Sequence, residues 1–333
     1  MVNLVAWSAM LITAALCQQT QSQLAFVSSR DGNPEVYVVN ADGTGLKRLT
    51  RNPAEDTKPA WSPDGTTLAF VTDRDGNQEI YLMAADGSHQ RNLTNNQAFE
   101  DYPCWSPDGR YLLFATDRDG NSEVYITGRD GAWSRDLSNH PSWDSLPTWS
   151  PSGEAIAYVT DREQDQEIVV GAPDGSSLRN VTAHQAWDGD PKFSPDGKRL
   201  AFRTHRDGNI GVYVCELESL KLTNVSQNQV WNEEPDWSPD GGKLAYASSP
   251  AGNREIIVAD MQSGARTNIT SNAANDWGPK WSPDGESIAF LSDRDGEARL
   301  YVMKSDGSEV REVSGGQVFD SGHAWRPGSA GDR

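Results

Sequence analysis

The chain has 333 residues, of which 36% are hydrophobic, and its 48 acidic against 29 basic residues give a formal net charge of −19. This acidic balance excludes a nucleic-acid-binding protein that relies on neutralising phosphates. No stretch reaches the roughly 20 consecutive apolar residues of a membrane-spanning helix, so no membrane span is predicted. Aromatic and β-branched residues recur throughout, which indicates a folded rather than a disordered chain.

The N-terminus carries the pattern of an export signal. An apolar run over residues 4–16 is followed by polar residues 18–21, which predicts a signal peptide over residues 1–17 and a periplasmic or extracellular location. Lipid attachment at Cys17 is the less favoured alternative, because Leu16 is bulky where lipoprotein signals have a small residue. Cys104 and Cys215 remain, at different repeat positions, and two free thiols are favoured over a disulfide.

The rest of the chain repeats with a period of 44 residues. Each repeat has an aromatic residue, followed in most repeats by Ser-Pro-Asp-Gly or a close variant: Trp61, Trp105, Trp149, Phe193, Trp237, Trp281 and Trp325. A Leu-Ala-Phe-like segment has the same period and starts at Leu24, Leu68, Leu112, Ile156, Leu200, Leu244 and Ile288. Repeats of roughly 40–45 residues built from short strands are typical of β-propellers with four strands per blade.

Residues 61–94 show one repeat unit. Pro63-Asp64-Gly65 is predicted to form a turn, which is followed by an apolar second strand that starts at Leu68. A tight hairpin then connects this strand to a third strand that starts at Ile80. Counting strands in this way gives 28 for the chain, or seven blades of four. The lone last strand near Trp325 is expected to complete the first blade and close the ring. The prediction is therefore an all-β, seven-bladed propeller over residues 24–327, with a tail at 328–333. A six-bladed ring is the alternative, and it leaves four strands unexplained.

The repeat is similar to that of the TolB-type β-propeller family. The segments that carry the resemblance are Trp-Ser-Pro-Asp-Gly, Leu-Ala-Phe, Asp-Arg-Asp-Gly-Asn-x-Glu-Ile-Tyr and Ala-Asp-Gly-Ser, and they recur over about residues 24–327. The resemblance implies the propeller fold and a location in the cell envelope, and it says little about activity. It implies a TolB-like propeller alone, without the N-terminal α/β domain of TolB proteins.

One face of the predicted propeller is more acidic than the other. The loops between blades and the hairpins between second and third strands share a face, which carries 21 of the 48 acidic residues against six arginines. Its candidate binding residues are the acids of the inter-blade loops, near the channel mouth: Asp56, Glu100, Asp144, Asp188, Asp276 and Asp320. Such a ring would attract basic partners, and Ca²⁺ is the candidate cofactor. Ion pairs between blades, or bonds that stabilise turns, are the structural interpretation, which is favoured for each single residue.

Aromatic residues precede these acids in five repeats: Phe99, Trp143, Trp187, Trp231 and Phe319. Hydrophobic anchoring of each loop onto the blade is the structural interpretation. The functional interpretation is an exposed aromatic rim that binds a peptide or a sugar, because such rings offer large and rigid contact areas.

The sequence favours a binding protein over an enzyme. It contains no Gly-x-Ser-x-Gly elbow, no nucleophile and base at a recognisable spacing, and no insertion across the 44-residue intervals. The predicted function is a non-catalytic, exported scaffold, a monomer that binds a protein or peptide partner, with glycans as a further ligand class. The alternative is a glycan- or peptide-processing hydrolase or lyase that uses carboxylates at the channel mouth.

Overall fold

A computed structural model of the protein describes residues 22–227, 229–250, 252–319 and 322–328. The predicted signal peptide, Asp320 and most of the predicted C-terminal tail lie outside the described residues. The described chain forms 28 strands in seven four-stranded antiparallel sheets. This confirms the predicted all-β propeller of seven blades.

Within each blade the strands follow one another from the centre of the ring to its edge. The first strands β4, β8, β12, β16, β20, β24 and β28 are Asp56–Trp61, Glu100–Trp105, Asp144–Trp149, Asp188–Phe193, Asn232–Trp237, Asp276–Trp281 and His323–Trp325. The second strands β1, β5, β9, β13, β17, β21 and β25 are Gln23–Ser28, Thr67–Thr72, Tyr111–Thr116, Ile156–Thr160, Arg199–Thr204, Lys243–Ser248 and Ser287–Ser292.

The outer two strands of each blade differ in length. The third strands β2, β6, β10, β14, β18, β22 and β26 are Glu35–Asn40, Glu79–Ala84, Glu123–Gly128, Glu167–Gly171, Gly211–Glu216, Glu255–Asp260 and Arg299–Lys304. The fourth strands β3, β7, β11, β15, β19, β23 and β27 are Lys47–Arg48, Arg91–Asn92, Ser134–Asp136, Arg179–Asn180, Lys221–Asn224, Arg266–Asn268 and Arg311–Glu312. The shortest fourth strands have two residues, which keeps the exposed edge of most blades small.

Blade 1 is assembled from both ends of the chain. β28 pairs with β1 in the register Leu24↔Trp325, Ala25↔Ala324 and Phe26↔His323. The prediction that the last strand closes the ring is therefore confirmed, and the six-bladed alternative is wrong. The indole N–H of Trp325 also donates to the carbonyl of Lys280 in blade 7, at 2.9 Å, so the closing strand is bonded to both neighbours.

The hydrophobic core lies between adjacent blades. The apolar second and third strands are buried on both faces, as their nearly continuous apolar sequences predict. Between blades 1 and 2, for example, Val36 and Val38 of β2 pack with Phe70 of β5 and Met83 of β6. Each of these four side chains is at most 2% exposed, so every blade depends on its neighbours for its core.

The two faces of the ring are built differently. The loop face carries the loops between consecutive blades and the hairpins between second and third strands. The turn face carries the tight turns that follow the first and third strands. One such turn is Ser62-Pro63-Asp64-Gly65, in which Gly65 adopts φ 64° and Asp64 Oδ1 accepts from the Ser62 hydroxyl at 2.5 Å. Among the described residues no helix is long and apolar enough to cross a membrane.

Candidate binding site at the loop face and channel

The acids predicted at the channel mouth are buried. Asp56, Glu100, Asp144, Asp188 and Asp276 are each 0% exposed. Each accepts an ion pair from the arginine 18 residues later, in the hairpin between the second and third strands: Arg74, Arg118, Arg162, Arg206 and Arg294. The pair therefore lies within one blade and joins the first strand to the hairpin. The expectation that such ion pairs run from blade to blade is wrong in these five blades.

The arginine of this pair is also held by aromatic rings. Arg74 donates to Asp56 at 2.8 Å, and its guanidinium lies 5.3 Å from the Phe70 ring centroid and 4.6 Å from that of Tyr81. The hydroxyl of Tyr81 in turn donates to Asp75 in the same hairpin. We call this repeated arrangement of first-strand acid, hairpin arginine and adjoining aromatic rings the clamp; in blade 4 a single ring, that of Tyr158, takes the place of the pair.

Blade 6 has lost both charged members of the clamp. Asn232 stands where five other first strands begin with an acid, and Pro250 stands at the arginine position of the hairpin. Asn232 is still 0% exposed, and its amide donates to the carbonyl of Val230 at 2.6 Å. A buried carboxylate without its cation would be costly, which explains why both charges are absent together.

Burial has the largest effect on the pKa values of the clamp acids. It raises the pKa of Asp56, Glu100, Asp144 and Asp188, although hydrogen bonds and the paired arginine act in the opposite direction. Four blades share the same shift, so it follows from the repeated architecture. It does not single out one carboxyl for acid–base chemistry.

The glutamates that begin the third strands are buried as well. Glu35, Glu79, Glu123, Glu167 and Glu255 are at most 5% exposed. Glu79 shows the pattern: it accepts from the hydroxyl of Thr94 at 2.6 Å and from the backbone N–H of Asn96 at 2.8 Å. Ten of the described acids counted for this face are thus buried and hydrogen-bonded, whereas the hairpin acids counted for it are partly or fully exposed.

The aromatic rim divides into two groups. Phe99, Trp231 and Phe319 are 47%, 51% and 43% exposed. Trp143 and Trp187 are half-buried. The Trp187 ring packs close to Gly189, where an added Cβ would lie 2.9 Å from the indole, and Arg203 lies over it at 4.3 Å from the centroid. Hydrophobic anchoring therefore accounts for the half-buried tryptophans and does not account for the three exposed rings.

The exposed rim residues sit on a fixed backbone. The N–H of Phe99 donates to Asp117 at 2.8 Å, and the N–H of Asp117 donates back to the carbonyl of Phe99 at 3.3 Å. The carbonyl of Trp231 accepts from Ser249 at 3.0 Å, and the N–H of Phe319 donates to Val27 at 2.9 Å. The backbone that carries each exposed ring is therefore bonded to the second strand of its blade or to the hairpin that follows this strand.

The central channel is lined by first-strand residues that differ from blade to blade. Six first strands carry a β-bulge after their second residue. The third residue of each has positive φ, between 50° and 63°. The repeat places a first ring of residues here, nearer the loop face: Lys58, Tyr102, Leu146, Asp190, Glu234, Gly278 and Gly322. A second ring follows two residues later: Ala60, Cys104, Thr148, Lys192, Asp236, Lys280 and Ala324.

A cavity of about 340 Å³ occupies this channel. Its walls are residues of both rings from blades 1 to 5, together with the prolines between the rings and His323. Tyr102 lies on its wall and is 39% exposed. Cys104 also lines it, and Cys104 and Cys215 are free thiols as predicted.

The charges around the channel are largely paired with one another. Lys58 pairs with Asp101 and lies 4.2 Å from the centroid of the Tyr102 ring. Arg203 Nε lies 2.7 Å from Asp190 Oδ2, an ion pair whose angle is poor for a hydrogen bond. Lys280 lies 3.7 Å from Asp236. The channel is therefore lined by fixed charges of both signs.

The sequence did not predict these channel residues as a site. The predicted candidates are residues that recur every 44 positions. The channel residues are the variable ones, which alternate with the first acid, the proline and the aromatic residue of a first strand. That variability within an otherwise strict repeat is the signal that could have located them. No metal site is evident either, since the described residues include no group of three or more His, Cys, Asp or Glu side chains placed to hold a metal ion.

Comparison with known proteins identifies the family. The family model described as TolB beta propeller domain matches residues 9–100, 59–188 and 174–329. The chain belongs to the TolB β-propeller family. It is 44% identical over 45 residues to the Tol-Pal system protein TolB of Desulfosudis oleivorans, a match that covers 14% of this chain and 10% of that relative. The segment shared with this relative is thus a small part of either protein.

Solved structures share the fold of this TolB-family propeller. A protein from Agrobacterium tumefaciens assigned as TolB is 25% identical, with a TM-score of 0.55, over 67% of this chain and 83% of that chain. An oligogalacturonate lyase in complex with manganese is 17% identical, with a TM-score of 0.70, over 84% of this chain and 85% of that chain. Propellers of this shape therefore include enzymes, and the shape alone does not assign an activity.

Proposed function

We propose that this protein is a non-catalytic, exported propeller that binds a protein or peptide partner through its loop face. The observation that carries the proposal is the exposure of Phe99, Trp231 and Phe319 beside buried, hydrogen-bonded loop backbone. Large aromatic side chains exposed on a rigid frame supply contact area at little cost in conformational entropy, and they are typical of binding surfaces.

The clamp serves this function from beneath the surface. The buried acids cannot contact a partner, since Asp56, Glu100, Asp144, Asp188 and Asp276 are 0% exposed. We propose that they fix the ends of the inter-blade loops on which the rim stands. The hairpin carboxylates remain at the surface of a chain with net charge −19, which favours a basic partner. A glycan is the second ligand class that an aromatic rim can accept.

The proposed location follows from the family. The curated relatives matched by this chain are named as Tol-Pal system proteins, and a site in the periplasm agrees with the signal-like pattern of residues 1–17. Ca²⁺ stays a candidate cofactor for the loop face. A monomer is proposed because ring closure within one chain pairs the inner edge of β1, and the outer edge strands are short.

A hydrolase or lyase is the competing function, favoured by the manganese-bound lyase of similar fold. An acid–base enzyme would need one carboxyl with a raised pKa beside its substrate cavity. The raised carboxyl pKa values instead belong to four equivalent clamp acids, to Glu167 of a third strand and to Asp136 of a fourth strand, and none of these residues lines the channel cavity. This distribution supports binding over catalysis.

The test is a triple variant, Phe99→Ala, Trp231→Ala and Phe319→Ala, used as bait in envelope extracts and then in titrations with the partner captured by the wild type. We expect at least a roughly tenfold loss of affinity, because single aromatic anchors at binding surfaces contribute about 2 kcal/mol or more. The matched control is Leu46→Ala, Leu220→Ala and Val310→Ala, which removes side chains of similar exposure, 42%, 40% and 38%, elsewhere on the surface.

The two variants separate a binding role from a loss of structure. Both should keep the wild-type unfolding temperature, and only the rim variant should lose the partner. Equal capture by the rim variant and the wild type would contradict the proposal. Turnover of oligosaccharides or peptides by the wild type, abolished by changes at the channel, would instead support the enzyme.

A further inference from the structure

Lys192 is the channel cation that lacks an ion-pair partner. It belongs to the second ring of the channel and lines the cavity. Within the described part of the chain no carboxylate oxygen lies within 4.0 Å of its ammonium, whereas Lys58 and Lys280 each have one. Lys192 therefore differs from the other lysines of the channel.

The carboxylates nearest to Lys192 are already used. Asp190, two residues before it, lies 2.7 Å from the guanidinium of Arg203. Asp236, at the same position of the next blade, accepts from the N–H of Trp281 at 2.8 Å and lies 3.7 Å from Lys280. The second ring thus carries two lysines and one aspartate, a local positive charge inside a strongly acidic protein.

Lys192 extends its charge into the channel. Its side chain is exposed in the channel, and the walls of the channel enclose it from the sides. This enclosure, followed by the charge of Lys280, lowers the pKa of Lys192. An enclosed cation between low-dielectric walls attracts a counter-ion more strongly than a surface lysine does.

Polar groups around the same cavity could complete an anion site. Thr148 and Cys104 of the second ring line it. His323 lines it too and is 6% exposed, and its Nε2 is buried without a hydrogen-bond partner among the described residues, so the imidazole lies next to the site without facing it through this atom. A cavity of about 340 Å³ is large enough for a small molecule.

We propose that the channel binds one small oxyanion, a carboxylate or a phosphate, on the ammonium of Lys192. The proposal goes beyond the binding of a partner at the loop face, because the site lies deeper and does not use the aromatic rim. The anion can be a free ion or an acidic group that a bound molecule extends into the channel, and both offer the same oxygen ligands to Lys192.

The experiment is isothermal titration calorimetry of the full protein with inorganic phosphate and, separately, with succinate, at ionic strength held constant with KCl. We expect saturable binding of one ion per protein, weakened at least about tenfold in Lys192→Met, since a charge-assisted hydrogen bond contributes about 1.5–3 kcal/mol. Lys192→Arg should retain binding. Lys198→Met, an exposed lysine in a turn on the turn face, is the matched control and should bind as the wild type does.

Binding of phosphate alone would identify a phosphate site, and binding of succinate alone would identify a carboxylate site. Absence of binding of both ions, or equal affinity in Lys192→Met, would overturn the proposal.

A second measurement uses the wild type alone and so does not depend on whether a variant folds. The imidazole NMR signals of His323 should shift during the titration of the wild type, and those of His89 should not. Binding that leaves the His323 signals unmoved would place the ion elsewhere and overturn it too. The outcome of this experiment does not affect the interpretation of the rim variants, so the two proposals can be rejected independently.

Discussion

His323 occupies the position that proline holds in the other six first strands. Its main chain pairs with Phe26 across the ring closure, and its side chain is 6% exposed on the wall of the channel. Burial first, and the charge of Lys280 second, lower the pKa of His323 to about 3. The imidazole is therefore neutral in the folded protein over the whole physiological range.

This buried histidine should make stability depend on pH. Its pKa is about 3 when folded and about 6.5 when unfolded, so the unfolded state binds the extra proton between these values. The contribution of His323 to stability is complete above pH about 6.5 and is lost as the pH falls toward 3, by up to about 1.4 kcal/mol per pH unit. The wild type should therefore lose more stability than His323→Asn between pH 6 and pH 4, in urea unfolding.

NMR gives a direct check on the same residue. The imidazole signals of His323 should not titrate between pH 5 and pH 8 in the folded protein, and they should titrate near the ordinary value in denaturant. A midpoint above pH 5 in the folded state would show that the channel wall solvates this side chain far better than its burial indicates.

At the scale of the element, the clamp is what joins a first strand to its hairpin. Arg206 and Asp188 form the most enclosed pair, with 9% and 0% of their side chains exposed and 3.1 Å between them. Removing one partner leaves an enclosed charge without compensation. Asp188→Asn should therefore lower the free energy of unfolding by about 3–5 kcal/mol.

A double variant separates the pair from simple loss of packing. Asp188→Asn with Arg206→Gln should recover part of the loss, because both charges are gone, as they are in blade 6. The measurement is the urea midpoint of the wild type, the two single variants and the double variant. A double variant whose loss equals the sum of the two single losses would show that the two side chains are not coupled.

The elements also show what could be predicted from the sequence. Strand positions, turns and blade number follow from residues that recur, such as the Leu-Ala-Phe segments and the Pro-Asp-Gly turns, because repetition enforces one local structure seven times. The clamp acids could be located but not their burial, since Asp in a loop ordinarily indicates an exposed turn. Only the folded blade shows that Arg74 reaches Asp56.

The channel could not be predicted in the same way. Its bulged positions have positive φ in residues as different as Lys58, Tyr102 and Leu146, and only Gly278 and Gly322 have the residue type that indicates such a backbone. Tertiary structure, namely the bulge that each first strand makes against the second, fixes this conformation. A site built from unlike residues at one repeat position becomes visible only when the ring is closed.

At the scale of the whole molecule, stability is shared around the ring, because each core lies between two blades. The last strand matters most, since β28 is the one first strand bonded to a second strand from the opposite end of the chain. Trp325, 8% exposed, packs in the core between blades 7 and 1 and donates to Lys280 at 2.9 Å. Without β28, the edge of β1 would face the channel unpaired.

A shortened chain that ends at Phe319 tests the role of this closure. It removes β28, opens the edge of β1 and leaves blade 1 with three strands, so it should unfold at a lower temperature and form aggregates through the free edge. Trp325→Ala removes only the buried indole and should cost about 3–5 kcal/mol. A chain that ends at Gly328 keeps β28 and should unfold as the wild type does. If the Phe319 chain matched it in unfolding temperature and remained monomeric, the ring would be stable without its closing strand, and packing alone would hold blade 1 in place.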